Sequence, residues 1–494
     1  MTVRFSTPSN SPNRTIYRDN RPCLNHLSRS DFDSVSRKTE RFHFFDSITN
    51  MSDGSGGQPN GLRFMFRALR HRNYALFFSG QMVSMVGTWM TRLATSWLIY
   101  KLTGSALLLG VVGFAGQIPS FVLAPFAGVL VDRWSRHRVL VWTQVLAMVQ
   151  SAALAVLDLT GTIRVEHVIG LAIFQGVINA FDMPARQSFV VEMVTDRADL
   201  PNAIALNSTL VNGSRLLGPS IGGVIIAAVG EGWCFAVDAV SYLAVIASLL
   251  AMRDLPARVI KPVKENILKQ LGEGFGYAAR FLPIRNILIL LATVSLVGFP
   301  YTVLMPVFAN DILHGGPNTL GSLMAASGVG AVTGAAYLAA RKSVLGLGRV
   351  IPMMSALFGA GLIAFSFSRV IWISLGLMVV TGLGFMVQMA TSNTLIQTIV
   401  DEDKRGRVMS FYTMAFMGTA PFGSLLAGYL AERIGAPETL FFGGLGCIAA
   451  AAWFYISLPR LRQFVRPIYI EKGILTEART GVMEASEMSV PPNS

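Results

Sequence analysis

A series of twelve apolar segments constrains this chain most, because each segment is long enough to cross a ~30 Å hydrocarbon core as a helix. The segments lie at residues 74–100, 105–130, 139–158, 166–185, 203–229, 233–252, 284–309, 318–340, 350–368, 370–396, 408–431 and 437–458. In lipid, a helix satisfies its own backbone hydrogen bonds, whereas an open strand does not. The sequence therefore predicts an all-α membrane protein with twelve transmembrane helices.

The composition agrees with a membrane protein and excludes an ordinary soluble one. Hydrophobic residues make up 52% of the chain and charged residues 14%, which is too few charges to cover a soluble surface. The net charge of +13 is compatible with nucleic-acid binding, but the basic residues sit in short loops between apolar segments. That placement sets membrane orientation, so we expect a lipid bilayer as partner and no nucleic acid.

The loops fall into a basic set and an opposite set that is almost free of Lys and Arg. The basic set includes Arg133, Arg136, Arg138, Arg186, Arg197, Arg253, Arg285, Arg341, Lys342, Arg349, Lys404, Arg405 and Arg407. The opposite set holds Lys101, Arg164, Arg369 and Arg433. Because positive loops stay in the cytoplasm, we expect a multi-pass protein of the cell inner (plasma) membrane with both termini cytoplasmic.

The chain divides into two halves of six segments, with polar regions around them. We expect a disordered cytoplasmic tail over residues 1–73, in which Met51 is an alternative start to Met1. The N-terminal half spans 74–252 and the C-terminal half 284–458, followed by a cytoplasmic tail over 459–494. The linker 253–283 places Leu268, Leu271, Phe275, Ala279 and Leu282 on one helical face. This pattern predicts an amphipathic helix along the membrane surface, and a plain solvated linker is the alternative.

The loop after the second segment reads GVLVDRWSRHRVL, from Gly128 to Leu140. It resembles the loop 2–3 motif of the major facilitator superfamily at Gly128, Leu130, Asp132, Arg133 and Arg136. The sequence departs from that motif at Ser135 and His137. The resemblance implies two six-helix halves that alternate in access around a central cavity.

The residues of this loop also explain a gating role physically. Gly128 permits a close helix approach, and the Asp132 carboxylate suits the positive N-terminus of the eleventh helix. Arg405 and Arg407 lie at that N-terminus and offer further contacts. An ordinary positive-inside loop is the alternative interpretation.

The fifth segment contains Gly218, Pro219, Gly222 and Gly223 in the run GSRLLGPSIGG. These residues resemble the fifth-helix motif of major facilitator antiporters, although Ser214 stands where a glycine is usual. A proline and small residues at this spacing let a helix bend and pack closely, so the run is expected to seal one side of a cavity. Simple helix packing is the alternative.

A narrower resemblance covers the chain from Phe66 to Pro459. The phrases FRALRHRNYALFFSGQMVSMVGTWM, DMPARQSFVVEMV and DKRGRVMSFYTM look like the exporter branch often labelled transmembrane secretion effector. The branch implies secondary active export of a small amphiphilic molecule such as a drug, siderophore or secondary metabolite, driven by a proton gradient. One departure weakens proton coupling by the usual route: Ala172 occupies the position of a fourth-helix arginine, ahead of Gln175 and Gly176.

Five charged residues lie inside the segments, where ionisable groups are costly and usually functional. They are Arg92, Asp182, Arg186, Arg215 and Asp238. Their depths allow two ion pairs, Arg92 with Asp238 and Arg215 with Asp182. We expect Asp182 to be the one that titrates, and purely structural pairs are the alternative.

Cavity-lining residues are expected from the first, fourth, seventh and tenth helices, by resemblance. The candidates are Gln81, Thr88, Trp89, Arg92, Gln175, Asn179, Tyr301, Gln388 and Asn393. So few charges favour an amphiphilic or weakly charged substrate.

No cofactor, metal site or enzymatic chemistry is expected, because the histidines are scattered and no Walker loop is present. We expect a monomer. The alternatives to an exporter are an importer on the same fold and a non-concentrative protein such as a lipid scramblase or a sensor.

Overall fold

The computed structural model describes residues 66–194, 196–253, 276–341, 343–402 and 404–475, without the side chains of Pro125, Val129 and Asp132. These residues form helices joined by short turns, and no strand occurs among them. Residues 1–65 lie outside the described residues, and so do residues 254–275 of the linker 253–283, for which an amphipathic helix was predicted.

Twelve long helices follow one another along the described chain. They are α1 (Arg72–Thr103), α2 (Ala106–Arg133), α3 (Arg136–Leu159), α4 (Val165–Met193), α5 (Leu200–Val229), α6 (Glu231–Leu250), α7 (Leu282–Ile312), α8 (Pro317–Ala339), α9 (Leu347–Phe367), α10 (Ile371–Ile399), α11 (Arg405–Ile434) and α12 (Ala436–Glu471). Every predicted segment coincides with one of them, which confirms the predicted all-α membrane fold.

Eleven of these helices are long and apolar enough to cross a bilayer, counted over the described residues. The exception is α1, which carries Arg72, Gln81 and Arg92 among its apolar residues. Its length of 32 residues still corresponds to about 48 Å, and its small residues pack against α5 and α6. We therefore count α1 as the twelfth span.

Two helices are interrupted. Helix α7 consists of Leu282–Thr293, a π turn over Val294–Gly298, Tyr301–Val307 and a second π turn over Phe308–Ile312. Its two interior prolines, Pro300 and Pro306, have no N–H to donate, so the regular hydrogen-bond ladder cannot continue through them. Helix α11 breaks between Met417 and Ala420.

Helix α1 begins and α12 ends at the same end of the bundle, which we call the termini end. The opposite end, where α1 meets α2, is the distal end. Two predicted boundaries need correction at the termini end. Helix α12 continues to Glu471 rather than stopping at residue 458. Residues 67–73, predicted to be disordered, are ordered and include the short helix Arg67–Arg70.

The ordered segment before α1 is held by Asp199, which immediately precedes α5 and is 3% exposed. Arg67, Arg70 and His71 place nitrogen atoms 3.0, 3.2 and 3.0 Å from its carboxylate oxygens. The backbone N–H of Ala68 also donates to Asn202 Oδ1 at 2.9 Å. These contacts explain why the polar composition misled the prediction: the basic residues have a buried partner far along the chain.

The two halves meet along α2 with α11 and along α5 with α8. A Cβ atom added at Gly110 would lie 2.6 Å from the Ser424 carbonyl oxygen, and one at Gly321 would lie 2.6 Å from the Pro219 carbonyl oxygen. Only glycine permits such close backbone crossings. The halves are therefore packed tightly toward the distal end.

Candidate functional site

Side chains at the distal end tie the halves together. Glu432, at the end of α11, accepts hydrogen bonds from Ser105 Oγ at 3.1 Å and from the Leu107 backbone N–H at 3.2 Å. Both donors belong to the first turn of α2, whose unpaired N–H groups favour a carboxylate. The Tyr100 hydroxyl donates to Asp311 of α7. These residues were not predicted from the sequence, because the charged residues of the loops indicated only the orientation of the chain in the membrane.

The termini end holds the residues of the predicted loop motif. Arg136 binds Glu192 of α4 at 2.6 Å, and Arg133 is exposed. Among the described residues, a Cβ added at Gly128 would meet no atom within 4 Å, so no described helix lies against this glycine. Asp132 has its side chain outside the described residues, and its contact with α11 stays a prediction.

The start of α11 carries Arg405 and Arg407. The sequence predicts that they add contacts to the one between Asp132 and this helix, which together would form a latch between the halves. Arg405 is partly buried and lies 3.7 Å from Glu402, one turn earlier, which is exposed. Arg407 is partly buried. A gating role for these arginines therefore remains a prediction.

The fifth-helix motif makes two different contacts. Gly218 and Gly222 face α1, where Trp89 and Met90 approach them closely. Gly223 and the Pro219 carbonyl face Gly321 of α8. The motif thus packs α5 against α1 within one half and against α8 across the halves.

Asp182 of α4 is 7% exposed and forms an ion pair within its own helix. Arg186, one turn further on, binds it at 2.5 Å. Thr143 Oγ1 and Gln144 Nε2 of α3 donate to the same carboxylate at 2.9 and 2.7 Å. The predicted pair of Asp182 with Arg215 is therefore wrong, because Arg186 is the cation that reaches this carboxylate.

Asp238 of α6 is 1% exposed and has hydroxyl partners. Thr91 Oγ1 and Ser151 Oγ each donate to it at 2.8 Å, and Ser241 Oγ lies at 3.5 Å. The predicted pair with Arg92 is wrong: Thr91 faces α6, so the next residue along α1 points to another side of the helix. Among the described residues, no cation forms an ion pair with Asp238.

Arg92 and Arg215 meet at one tryptophan instead. Their guanidinium carbons lie 4.8 and 5.1 Å from the centroid of the Trp89 ring. Arg92 is exposed and Arg215 is partly buried. Leu216, the residue after Arg215, lies against α8 in the other half: a Cβ added at Gly328 would lie 3.0 Å from the Leu216 Cα. The two arginines therefore lie where the halves face each other.

The other predicted cavity residues separate into two groups. Thr88, Gln175, Asn179 and Asn393 are partly exposed. Thr88 contacts the Tyr242 hydroxyl at 3.3 Å, Gln175 donates to Asn179 at 3.1 Å, and Asn393 accepts from Gln397 at 2.6 Å. The three buried residues are Gln81, Tyr301 and Gln388. Tyr301 contacts Ser327 at 2.8 Å, so it joins α7 to α8 rather than facing open space.

A cavity of about 590 Å³ lies elsewhere, between α5, α8 and α10. It is lined by Ser220, Val224, Asn318, Ser322, Ala325, Ala326, Val329, Leu375 and Val379. It contains no charged side chain and none of the predicted cavity residues. The candidate site is therefore the set of charged residues Asp182, Asp238, Arg92 and Arg215 rather than this cavity.

Comparisons with known proteins agree with this architecture. Residues 65–466 match the family described as transmembrane secretion effector. The staphyloferrin A transporter of Staphylococcus aureus is 27% identical over 390 residues, covering 78% of this chain and 96% of that protein. The multidrug efflux pump Tap of Mycolicibacterium fortuitum is 28% identical over 393 residues, covering 76% and 93%. Macrolide efflux protein A of Streptococcus pyogenes is 22% identical over 394 residues, covering 77% and 96%.

Solved structures show the same fold. A bacterial homologue of the human lysosomal transporter Spinster, in an inward-facing and unoccupied conformation, superimposes with a TM-score of 0.64. The alignment covers 83% of this chain and 99% of that one at 12% identity. Because the family match covers most of the chain and includes its helical bundle, the protein belongs to the transmembrane secretion effector family of major facilitator transporters.

Proposed function

We propose that this protein is an exporter of a small amphiphilic molecule across the plasma membrane, working by alternating access and driven by proton antiport. Its relatives include a staphyloferrin A transporter, a multidrug efflux pump and a macrolide efflux protein, which supports export of such compounds. The basic loops support a cytoplasmic location of the termini end. No partner chain is needed for this mechanism, and we expect a monomer.

The observation that carries the proposal is the asymmetry between the two ends. The halves are joined at the distal end by Glu432 and Tyr100, whereas Gly128 at the termini end has open space around it. With the termini end cytoplasmic, this is a conformation closed to the outside, in which an exporter takes up its substrate. Reversing the asymmetry would release the substrate outside.

Proton coupling needs a carboxylate that can change its charge during the cycle. Asp182 forms an ion pair with Arg186 and accepts hydrogen bonds from two neutral donors, which are the contacts of a structural ion pair. Asp238 is buried among hydroxyls, which can accept or donate when a proton arrives. We therefore assign proton binding to Asp238 and a structural role to Asp182, contrary to our expectation from the sequence.

Accumulation assays in cells test this function. Cells that express the protein should hold less of a lipophilic antibiotic or siderophore than cells that lack it, and an uncoupler should abolish the difference. Higher accumulation in expressing cells would indicate an importer. Equal final levels reached at a faster rate would indicate a non-concentrative protein such as a scramblase.

A further inference from the structure

Two arginines share one aromatic ring at the place where the two halves face each other. Trp89 of α1 lies 4.8 Å from the Arg92 guanidinium and 5.1 Å from that of Arg215 on α5. The Trp89 side chain is itself fixed against Gly218, one turn beyond Arg215. Stacking on an indole orients a planar guanidinium while leaving its N–H edges free to bind.

Neither guanidinium has an acidic partner in the part of the chain that the structure describes. The two carboxylates of this region are already occupied: Asp182 binds Arg186, and Asp238 accepts from Thr91 and Ser151. Arg92 and Arg215 are like charges held close together, because their guanidinium carbons lie 4.8 and 5.1 Å from the same ring centroid. Two uncompensated positive charges inside a membrane domain are costly, and such groups usually mark a substrate path.

We propose that Arg92, Trp89 and Arg215 form a binding site for an organic anion that carries carboxylate groups on an apolar or aromatic body. Planar guanidinium groups bind carboxylates through paired N–H donors, and the ring supplies an apolar surface beside them. This inference deepens the proposed export function and rests on it for the direction of transport. It replaces the weakly charged substrate that the sequence suggested.

The charge balance of the site also gives a reason for this ligand class. A bound dianion would neutralise both arginines and remove their mutual repulsion, whereas a cation would add a third positive charge. Leu216, the residue after Arg215, packs against Gly328 of the opposite half, so a ligand held here lies beside the surface at which the halves move. The site is therefore selective by charge and placed to sense the conformational change.

Two dyes of similar ring structure and opposite charge test the site on the full chain in lipid nanodiscs. Carboxyfluorescein is anionic and rhodamine 123 is cationic, and binding of each is measured by fluorescence anisotropy. The wild-type protein should bind carboxyfluorescein at least ten times more tightly. Loss of one hydrogen-bonded charge pair should raise the Kd of Arg92→Gln and Arg215→Gln for this anion about tenfold or more.

Matched variants separate binding from folding. Arg92→Lys and Arg215→Lys keep the charge but lose the planar donors, so intermediate affinities are expected. Arg433→Gln removes an arginine that stacks on Tyr429 at 5.0 Å near the distal surface, and it should bind like wild type. Size-exclusion profiles identify any variant that does not fold.

Three results would overturn the site: no measurable binding of carboxyfluorescein, equal or tighter binding of rhodamine 123, or unchanged affinity in both glutamine variants. The cell assay distinguishes this failure from that of the proposed function. If the glutamine variants lose anion binding but the wild-type protein does not export, the anion site is supported and the proposed export is contradicted. If both glutamine variants export cationic dyes, the export function is supported and the anion site is contradicted.

Discussion

Two buried carboxylates in the N-terminal half differ in the groups that hold them. Asp182 has a cation one turn away on its own helix, while Asp238 depends on the hydroxyls of Thr91 and Ser151. An adjacent cation stabilises the charged form, whereas burial among neutral groups stabilises it much less. Replacing each aspartate with the neutral Asn should therefore have different effects on the protein.

Replacing Asp238 with Asn should abolish concentrative efflux, because the variant can no longer take up and release a proton at this position. Facilitated movement of substrate down its gradient should remain. Gradient-driven and downhill transport are measured side by side in proteoliposomes. Wild-type concentrative transport by Asp238→Asn would remove Asp238 from the mechanism.

Asp182→Asn serves as the matched comparison, since it leaves the partly buried Arg186 guanidinium without its partner. Breaking a buried pair by removing one member costs about 3–5 kcal/mol. We expect a lower melting temperature for this variant, with the pH dependence of its remaining transport unchanged. A pH profile displaced in Asp182→Asn and unchanged in Asp238→Asn would exchange the two roles.

The charged residues of the site could be identified from sequence, but their partners could not. The sequence shows directly that a charged residue lies inside an apolar segment, and its position along the helix gives its depth in the membrane. Which face of α1 carries Thr91 toward α6 depends on the rotation of packed helices. Ser151 gave no signal of its own, because a single serine in a membrane helix is ordinary.

At the scale of the helix, the crossing of α5 and α8 sets how closely the distal end can close. The backbones touch at Gly223 and Gly321, where an added Cβ would meet the carbonyl oxygens of Pro317 and Pro219 at 2.8 and 2.6 Å. The sequence predicted this role for the fifth helix from its glycine and proline spacing. It could not identify Gly321, because the partner helix carries four glycines and nothing in the sequence distinguishes this one.

Gly321→Ala should hold the α5–α8 crossing apart and weaken the conformation closed at the distal end. Overpacking of this kind costs about 1–3 kcal/mol, which corresponds to roughly a fivefold to hundredfold shift between conformations. Transport rates should fall accordingly. Gly213→Ala is the control on α5, since a Cβ there meets nothing within 4 Å. Equal rates in the two variants would show that the crossing is not limiting.

The segment before α1 provides another prediction at this scale. Removing residues 1–60 should leave expression and transport unchanged, because the contacts to Asp199 begin at Arg67. Removal that extends through His71 should lower the thermal stability, since Asp199 would lose its three basic partners. Thermal unfolding followed by size exclusion measures both. Loss of membrane insertion in the shorter truncation would contradict the prediction.

At the scale of the whole molecule, α2 and α11 carry a carboxylate at each end of their contact. Glu432 of α11 caps the first turn of α2 at the distal end. Asp132 at the end of α2 is predicted to meet the first turn of α11 at the termini end. One latch would then stabilise each conformation of the cycle, because the two ends do not close together.

Opposite shifts are therefore expected from the two latch variants. A carboxylate at a helix N-terminus contributes roughly 0.3–1 kcal/mol when exposed and up to about 2 kcal/mol when partly buried. Glu432→Ala should favour the open distal end, and Asp132→Asn should favour the closed one. Gly128→Leu should act like Asp132→Asn but more strongly, because its bulk blocks closure at the termini end.

Distances between spin labels on the two halves measure these shifts. Leu102 of α1 and Trp372 of α10 are exposed near the distal end and suit such labels. Glu438→Ala removes an exposed carboxylate from α12 at the same end and should leave the distribution unchanged. Identical distributions in wild type, Glu432→Ala and Asp132→Asn would show that neither latch exists.

Proton antiport is tested most directly by imposing a pH gradient on proteoliposomes that contain the purified protein and a substrate identified in the cell assay. Liposomes that are acidic inside should accumulate the substrate above the external concentration, because outward proton movement drives inward movement of substrate. An uncoupler should collapse the gradient of substrate. Accumulation only when the outside is acidic, or no dependence on the pH gradient, would contradict a proton-coupled antiporter.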